Sequence, residues 1–364
     1  MPSVLKRLEL AFRRALLASG RRPFSGRWTS IPADLLCLPP APRILLVRFE
    51  RIGDVLVSIP VLRALRARYP DARMDLLLSR PNYAARDAVA PYVTQVWRYD
   101  KTVGSAVHLL HDLRRTRYDV IVDLVDHPST NAQLVIRWCH ARAAVGLLHA
   151  ESGHYTHAAP TLDPATVHPV ERIAQVLLPF GIDPATTPLD LEYRLEPEDV
   201  TIARAALGPA SRPLRFGVNL SARRAAHYWG RANYIELIRH VTASDARFAI
   251  SVCGMPRDAD EVAHVAAVTG AEAVAPTPSL HRFAAIVHEF DLLLTPDTAV
   301  VHLAAAWKRP TVALYHAEAG VAPWVPYRTP HRAVADSRGI PAIPVERVIA
   351  AVEDLCREQF PDER

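Results

Sequence analysis

The sequence predicts an α/β protein built from two doubly wound parallel-sheet domains. From Arg43 onward, short apolar runs alternate with amphipathic helical patterns, which is typical of βαβ units. This alternation pauses over 183–213, a stretch rich in proline and acidic residues, and restarts at Leu214. The length of 364 residues suits two domains of about 150 residues each.

The predicted strands are short runs buried on both faces, as parallel sheets require. They lie at 43–49, 74–79, 118–123, 143–146, 214–220, 248–253, 272–275, 291–295 and 310–315. Apolar residues at helical spacing predict the helices. One ends at Arg68 and a second ends before Gly181, a predicted C-cap; the others lie at 104–117, 129–140, 231–243, 257–269, 279–289, 298–308 and 344–358.

These elements suggest five segments. Residues 148–166 read as a loop, and 183–213 as a connection with at least one helical turn. We expect a basic amphipathic extension, a first α/β domain, a linker, a second α/β domain and a C-terminal helix, at 1–40, 41–190, 191–212, 213–335 and 336–364.

The net charge of +5 is concentrated at the N-terminus. Residues 1–40 carry seven basic and two acidic side chains, whereas 41–364 carry 36 of each. A neutral body argues against specific nucleic-acid binding. Residues 4–17 have the spacing of an amphipathic helix with a basic face. That helix either lies on an anionic membrane surface or packs on the body with its basic face solvated.

The cysteine pattern and the lack of long apolar runs favour a protein of the reducing cytosol. The four cysteines are scattered without a CxxC pair, so neither a zinc site nor a disulfide framework is predicted. No apolar run is long enough for a transmembrane helix, and the N-terminus lacks the apolar core of a signal peptide. GxGxxG, GxxxxGK[ST], GxSxG and HExxH are absent, and only 14 residues are glycine. Helix N-termini and side chains would therefore hold any bound phosphate.

The first candidate motif is RFERIGDV, from Arg48 to Val55, between the first strand and its helix. Ligands bind at this carboxyl edge in open α/β sheets. Asp54 is placed either as a general base or as a cap for backbone N–H groups. Gly53 would permit a sharp turn or a close ligand approach.

The second motif is TPDTAVVHLAAA, from Thr295 to Ala306, which follows a strand and opens a helix. Asp297 and Thr298 are N-cap residue types, and His302 lies one turn beyond Thr298. The free N–H groups of the first turn could bind a diphosphate together with Thr298 and His302. Asp297 would instead bond amides or sugar hydroxyls. The alternative is a capped helix with a half-buried histidine.

The third motif is NLSARRAAHYW, from Asn219 to Trp229, after the first strand of the second domain. Arg223, Arg224 and His227 could neutralise a diphosphate, or they could form a solvated basic loop. Trp229 could pack in the core or cover a ring.

Two weaker patterns contain residue types that can bind a metal ion, but neither has the spacing of a metal site. Asp258-Ala259-Asp260 is a DxD, but its spacing does not suit one helical face. The histidines around His154-x-x-His157 lack a further ligand at helical spacing. His168, at the start of the predicted helix that ends before Gly181, is interpreted as an acceptor contact or a cap.

The long motifs together resemble glycosyltransferase family 9, the bacterial heptosyltransferases. RFERIGDVLVSIPVLRALRARYP, from Arg48 to Pro70, is similar to the family's RxDRIGDVxLSxPxLRALRxxxP. DLLLTPDTAVVHLAAAWKRPTVALY, from Asp291 to Tyr315, is similar to DLVVTNDTGPMHLAAALGKPVVALF. HPVERIAQVLLPFGI also resembles the family's segment ahead of the linker. The resemblance covers about 43–320 and leaves out residues 1–40.

The resemblance implies a GT-B fold, with two facing Rossmann-like domains and an interdomain cleft. It implies that the domain at 41–190 binds the acceptor and that the domain at 213–335 binds the nucleotide sugar. It also implies inverting, metal-independent transfer without a cofactor. The implied donor is ADP-L-glycero-β-D-manno-heptose. The implied acceptor is lipopolysaccharide core or a related lipid-linked glycan, at the cytoplasmic face of the inner membrane.

By this resemblance Asp54 is catalytic, and Asp297, Thr298 and His302 bind the donor. Asp258 matches the family's ribose-contacting acid. We expect further donor contacts from Gly53, Ser221, Arg223, Arg224 and His227, and acceptor contacts from Arg51 and His168.

The chain departs from the family at two positions. Ala299 replaces the glycine after Asp-Thr and narrows the space for a phosphate. His227 replaces a lysine, and it is a weaker cation at neutral pH. Another nucleotide-sugar donor therefore stays open. A nucleotide-sugar epimerase or hydrolase on a similar fold, and a non-catalytic envelope-assembly protein, are the further alternatives.

Overall fold

The computed structural model divides the chain into two compact units. One comprises the described residues up to 163 together with 169–189, and the other comprises 164–168 together with the described residues from 190 onward. The structure describes residues 35–100, 102–127, 129–149, 154–222, 224–317 and 324–361. The predicted helix at 4–17 and most of the predicted extension lie outside the described residues.

The first unit is built on a six-stranded sheet in which every neighbouring pair is parallel. The strand order is β3-β2-β1-β4-β5-β6. The chain therefore runs outward from β1 and then restarts on the other side of β1 with β4. The strands are β1 (Arg43–Arg48), β2 (Arg73–Ser79), β3 (Gln95–Tyr99), β4 (Val120–Asp123), β5 (Ala143–Leu147) and β6 (His157–Ala159).

Helices connect these strands, as parallel crossovers require. Side chains alternate across each strand, so Leu45 and Val47 share a face and pack with Leu113 and Ile136 in one apolar cluster. The helices are α1 (Ile52–Val57), α2 (Ile59–Arg68), α3 (Arg86–Val89), α4 (Val103–Thr116), α5 (Thr130–Cys139) and α6 (Pro169–Ala174), with 3₁₀ turns at Tyr83–Ala85 and Gln175–Phe180.

The second unit repeats the same topology. Its six parallel strands have the order β12-β11-β10-β7-β8-β9. The order again reverses between the first and fourth strands of the unit, here β7 and β10. The strands are β7 (Leu214–Asn219), β8 (Phe248–Cys253), β9 (Glu272–Ala273), β10 (Leu292–Pro296), β11 (Thr311–His316) and β12 (His331–Asp336).

The second sheet buries an apolar cluster against three helices, which contribute among others Leu237, Val265 and Val348. Burial of these side chains is the main stabilising contribution to the unit. Its helices are α7 (Pro197–Leu207), α8 (Arg231–Ser244), α9 (Ala259–Thr269), α10 (Leu280–His288), α11 (Ala299–Ala306) and α12 (Val345–Gln359), with 3₁₀ turns at Ala225–His227, Pro256–Asp258 and Ile340–Ala342.

The two parallel sheets confirm the predicted fold class, but three strands were not predicted. They are β3, β6 and β12, and each lies at the edge of its sheet. Edge strands have one side open to solvent, so β3 and β12 lack the continuous apolar run of a central strand. The strand β6 has three residues and falls in the segment that we predicted to be a loop.

Proline and glycine set two of the helix boundaries. The predicted helix ending at Arg68 is divided at Ser58 into α1 and α2, and Pro60 lies in the first turn of α2. Proline is tolerated in the first turn because the N–H groups there have no acceptor within the helix, so the missing N–H breaks no helical hydrogen bond. Gly181 adopts φ +72° after the 3₁₀ turn, which confirms the predicted C-cap.

No helix in the described part of the chain is long and apolar enough to cross a membrane. The N–H of Leu36 donates to the carbonyl of Pro179 at 2.8 Å. The end of the predicted extension is thus held against the first unit.

Candidate functional site

The first candidate site lies where β1 and β4 end, at the point where the strand order reverses. Parallel sheets bind ligands at this edge because two connections diverge there and leave a crevice. The strand β1 ends at Arg48 and α1 begins at Ile52, so Asp54 is the third residue of α1. Asp54 is only 7% exposed.

Both oxygens of the Asp54 carboxylate accept a hydrogen bond. Oδ1 lies 3.1 Å from Nη2 of Arg48, and Oδ2 accepts from the backbone N–H of Arg51 at 2.8 Å. The second bond is the N3 half of a capping box, with Arg51 as the N-cap residue. Asp54 therefore caps the helix from inside its first turn, and each oxygen keeps a lone pair for a further partner.

Arg48 is fully buried beside two carboxylates. Its guanidinium pairs with Asp54 and lies 3.7 Å from the Glu50 carboxylate, and it also donates to the carbonyl of Leu124 after β4. A buried charge is tolerated when it is paired and hydrogen-bonded in this way. The Arg48 side chain thereby joins the ends of β1 and β4 and fixes the orientation of Asp54.

A neighbouring loop holds the backbone of this turn. Nδ2 of Asn82 donates to the carbonyl of Arg48 at 3.0 Å, and the Ser79 hydroxyl donates to the carbonyl of Phe49 at 2.6 Å. Both side chains are buried. Buried networks that satisfy every member specify a single geometry. The loop that leads to Asp54 is thus braced from β2.

Asp123 is a second buried carboxylate at this edge, and the sequence analysis did not single it out. It ends β4, accepts hydrogen bonds from the hydroxyl of Tyr155 and the N–H of Val125, and has no exposed surface. Burial raises the pKa of Asp123 to about 7, against the lowering effect of these hydrogen bonds. An acid at the carboxyl end of a predicted strand was the signal that could have found it.

Three other residues were predicted as site residues, two in the first motif and one at His168. Gly53 lies within α1, so the predicted sharp turn at Gly53 is wrong and the chain turns before the helix. Arg51 is exposed at the N-cap. His168 belongs by its contacts to the second unit, where Nε2 lies 3.0 Å from the carbonyl of Val325.

The second candidate site lies at the matching edge of the other sheet, where β7 and β10 end. A chain of polar side chains connects these ends. Nδ2 of Asn219 donates to the Thr295 hydroxyl at 2.9 Å, and the hydroxyls of Thr295 and Thr298 lie 3.2 Å apart. Asn219 and Thr295 are completely buried. This chain fixes the position of Thr298 relative to the sheet.

Thr298 is the N-cap of α11, and its hydroxyl accepts from the N–H of Val300 at 3.4 Å. Asp297 precedes the cap and is exposed, with its own N–H bonded to the carbonyl of Leu314. The first-turn N–H groups and the helix dipole make this terminus suitable for an anion. Ala299, in place of the family's glycine, is the first helical residue there.

His302 lies one turn further along α11 and is 4% exposed, so it is more deeply buried than the half-buried histidine we considered. Burial lowers its pKa to about 3, and the charge of His168 adds to this effect. Its Nδ1 has no hydrogen-bond partner among the described residues. His302 is therefore a neutral imidazole at neutral pH, with one ring nitrogen available to a partner.

Ser221 and Asp258 are brought together at the ends of β7 and β8. The Ser221 hydroxyl donates to Oδ2 of Asp258 at 2.7 Å and accepts from the N–H of Met255 at 2.6 Å. A Cβ at Gly254 would lie 3.2 Å from the Ser221 hydroxyl and 3.3 Å from Cβ of Asp258. The absence of a side chain at Gly254 thus allows the two loops to approach. Asp260, the second acid of the DxD, is exposed on α9.

These loops border a groove of about 760 Å³ at the carboxyl edge of the second sheet. Tyr228 and Arg231 both bond to Glu261, and the bond to Arg231 is the main reason that the pKa of Glu261 is lowered. Four lining residues were not predicted as site residues, although Tyr228 lies within the third motif and the others lie within two residues of a motif: Tyr228, Arg231, Arg257 and Glu261. The lining residues are Leu220, Ala222, Arg224, Tyr228, Arg231, Arg257, Asp258 and Glu261.

The basic motif after β7 is only partly assembled around this groove. Arg224 is exposed and lines it, and His227 ends a short 3₁₀ turn. Arg223 lies outside the described residues. Trp229 is 1% exposed and donates from Nε1 to the carbonyl of Ile343, so it packs in the core rather than covering a ligand ring.

Within the described ranges, no group of three or more histidine, cysteine or acidic side chains is arranged to hold a metal ion. Asp54 lies in the first unit, and the described residues predicted to bind the donor, apart from Gly53, lie in the second. The second unit brings Ser221, Arg224 and Asp258 to one sheet edge, with Thr298 and His302 on the helix that follows β10.

The chain is similar in sequence to known proteins. A family model described as glycosyltransferase family 9 (heptosyltransferase) matches residues 106–335. Lipopolysaccharide heptosyltransferase 3 of Escherichia coli is 25% identical over 342 residues, which cover 85% of this chain and 96% of that protein.

Solved structures share the fold. A glycosyl transferase family 9 protein from Veillonella parvula is 18% identical with a TM-score of 0.72, covering 87% of this chain and 97% of that one. ADP-heptose lps heptosyltransferase II from E. coli is 21% identical with a TM-score of 0.67, covering 87% and 99%. The predicted GT-B fold class is confirmed by these matches. Because the family model spans more than half of the chain, the protein belongs to glycosyltransferase family 9, the heptosyltransferase family.

Proposed function

We propose that this chain is an inverting transferase that moves heptose from ADP-L-glycero-β-D-manno-heptose to lipopolysaccharide core or a related cell-surface glycan. The observation that carries the proposal is the Asp54 carboxylate. It is buried at the ligand-binding edge of the first sheet and held in one orientation by Arg48 and the N–H of Arg51. Such a fixed carboxylate with free lone pairs suits proton abstraction from a sugar hydroxyl.

In the proposed reaction, Asp54 takes the proton of an acceptor hydroxyl as its oxygen attacks the anomeric carbon of the donor. Attack occurs on the face opposite the diphosphate, so the anomeric configuration inverts and ADP leaves. Arg51 and His168 would contact the acceptor. The Arg48 guanidinium pairs with the Asp54 carboxylate at 3.1 Å and holds it in place to accept the proton.

The donor would be held at the second sheet. The N–H groups at the start of α11, the Thr298 hydroxyl and Arg224 would stabilise the diphosphate as it departs, with Arg223 and His227 adding charge. His302 can offer a neutral ring nitrogen to the donor. Asp258, fixed by Ser221 at 2.7 Å, would accept from the ribose hydroxyls.

These groups supply the stabilising charge, so we propose that transfer proceeds without a divalent cation. Full activity in EDTA is the expected result. An E. coli heptosyltransferase with ADP-2-deoxy-2-fluoro heptose has the same fold, with 19% identity and a TM-score of 0.67. That likeness supports an ADP-linked donor. A lipid-linked acceptor would place the reaction at the inner face of the bacterial inner membrane.

A thermal-shift panel of ADP-, GDP-, UDP- and dTDP-linked sugars tests the donor, because a ligand that binds the native state raises the Tm. We expect the largest shift with ADP-heptose, followed by transfer to a Kdo-containing acceptor with inversion. No response to any ADP-sugar would overturn the heptose donor. Donor turnover without an acceptor would indicate an epimerase or a hydrolase instead.

A further inference from the structure

A basic and aromatic groove lies on the first unit, away from both candidate sites. It has a volume of about 480 Å³ and runs between α4 and α5. We call it the α4–α5 groove. It is lined by Val107, His111, Arg114, Arg115, Arg117 and Trp138.

Three of the residues that line this groove are exposed arginines. Within the described residues, no carboxylate lies within ion-pairing distance of Arg114, Arg115 or Arg117. By contrast, Arg73 and Arg98 of the same unit pair with Asp75 and Asp100. The helix α4 carries one acid, Asp112, which does not line the groove. The neutral body of the protein thus has a local basic surface.

Apolar side chains are exposed beside these charges. Val107 is 60% exposed and Trp138 is 44% exposed, and both lie among the exposed large apolar residues of the protein. A tryptophan next to arginines is typical of surfaces at the membrane–water interface, where the indole sits at the headgroup level.

The backbone holds basic residues at the ends of both helices. Arg117 after α4 has φ +53° and His140 after α5 has φ +50°, and both occupy the left-handed C-cap position that favours glycine. The Arg117 cation gains from the helix dipole, and it keeps positive charge at this end of the unit.

Charge decides between the candidate occupants of the groove. The segment 1–40 of this chain carries an excess of basic side chains and would be repelled. A symmetric dimer would place the same cations opposite each other. An anionic occupant remains, and the exposed indole favours lipid over a purely polar polyanion. We propose that the α4–α5 groove docks on an anionic lipid bilayer.

Docking there would leave the Asp54 edge open. The helix α4 leads into the amino end of β4, and α5 leads into the amino end of β5, so Arg114, Arg117 and His140 lie at that end of the sheet. Asp54 lies at the carboxyl end. The groove is therefore a surface separate from the reacting groups, and it adds to any contact made by the basic extension.

Vesicle sedimentation of the full-length protein tests this proposal, with phosphatidylcholine vesicles containing or lacking phosphatidylglycerol. Each arginine near an anionic surface is worth about fivefold in partitioning. We therefore expect R114Q/R115Q/R117Q to bind the anionic vesicles on the order of 100-fold more weakly, and R114K/R115K/R117K to bind like the parent. The charge-matched control R239Q/R347Q/R357Q, on α8 and α12, should retain its binding.

Trp138→Ser separates lipid from other polyanions. It should weaken vesicle binding roughly tenfold, because apolar surface no longer enters the interface, and leave heparin binding unchanged. Parent-like vesicle binding by R114Q/R115Q/R117Q, or an equal loss in the control triple, would overturn the proposal. Unchanged vesicle binding by Trp138→Ser would also overturn it and indicate an acidic polymer as the partner.

Discussion

The guanidinium of Arg48 lies 3.1 Å from the Asp54 carboxylate, and the Arg48 side chain is 1% exposed. The pair connects the two central strands of the first sheet, because Arg48 also donates to the carbonyl that follows β4. Removing one member of a buried ion pair leaves the other charge without compensation. Stability and orientation of the proposed base therefore depend on the same side chain.

Arg48→Met is expected to lower the free energy of unfolding by about 3 kcal/mol. Asp54→Asn in the same background should recover part of this loss, since no buried carboxylate is then left unpaired. Urea unfolding of both single variants and the double variant gives the coupling energy. Arg98→Met, which breaks an exposed pair with Asp100, should cost under about 1 kcal/mol. Additive effects of R48M and D54N would argue against the coupling.

Asp54→Ala is expected to reduce kcat at least about 100-fold, the usual scale for loss of a general base. Donor affinity should stay unchanged, because the residues proposed to hold the nucleotide belong to the second unit. Turnover and ADP-sugar affinity are measured separately, with Asp87→Asn on α3 as a control carboxylate. Retained turnover would remove Asp54 from the proposed role.

Substitution of the two acids of the DxD motif, Asp258 and Asp260, should affect ADP-sugar binding differently. Asp258→Asn is expected to weaken ADP-sugar binding by about 10- to 100-fold, since a hydrogen bond to a charged group is worth about 1.5–3 kcal/mol. Asp260→Asn is the matched control, and its exposed position on α9 predicts no change. Isothermal titration measures both. Equal losses in the two variants would point to a shared metal or charge effect.

His302 should make stability depend on pH. Its pKa is lowered to about 3 in the folded protein, whereas an unfolded histidine titrates near 6.5. The unfolded state therefore binds more protons below about pH 6.5. Relative to His302→Gln, the parent should lose up to about 1.4 kcal/mol per pH unit as the pH falls from about 6.5 toward 3.

Unfolding by urea at several pH values measures this difference between the parent and His302→Gln. His264→Gln, on the exposed face of α9, is the control and should follow the parent at every pH. A difference between parent and His302→Gln that does not change with pH would show that His302 is not held neutral by burial.

The N-terminal segment is tested by neutralising Lys6, Arg7, Arg13 and Arg14 to glutamine in the full-length chain. If the segment lies on an anionic membrane, vesicle binding should fall by about fivefold per charge. Activity toward a soluble acceptor should not change. Unchanged vesicle binding would favour the alternative, a helix packed on the body.

The two parallel α/β units and the motifs at their edges could be predicted from the amino-acid sequence. Central strands are buried on both faces, so their apolar runs are continuous and readable without a structure. The edge strands β3 and β12 carry no such run. Motif spacing placed Asp54, Asp258 and Thr298 next to predicted strand ends, and parallel strands bring those ends to one edge of each sheet.

Which side chains meet at these edges depends on the tertiary structure. Arg48 and Leu124 are joined across 76 residues, and Ser221 and Asp258 across 37. Such contacts depend on strand order and register, which local patterns do not contain. The same reason explains His302, whose near-complete burial and neutral state follow from packing. The α4–α5 groove also required the structure, because helix packing brings Trp138 of α5 beside the arginines at the end of α4.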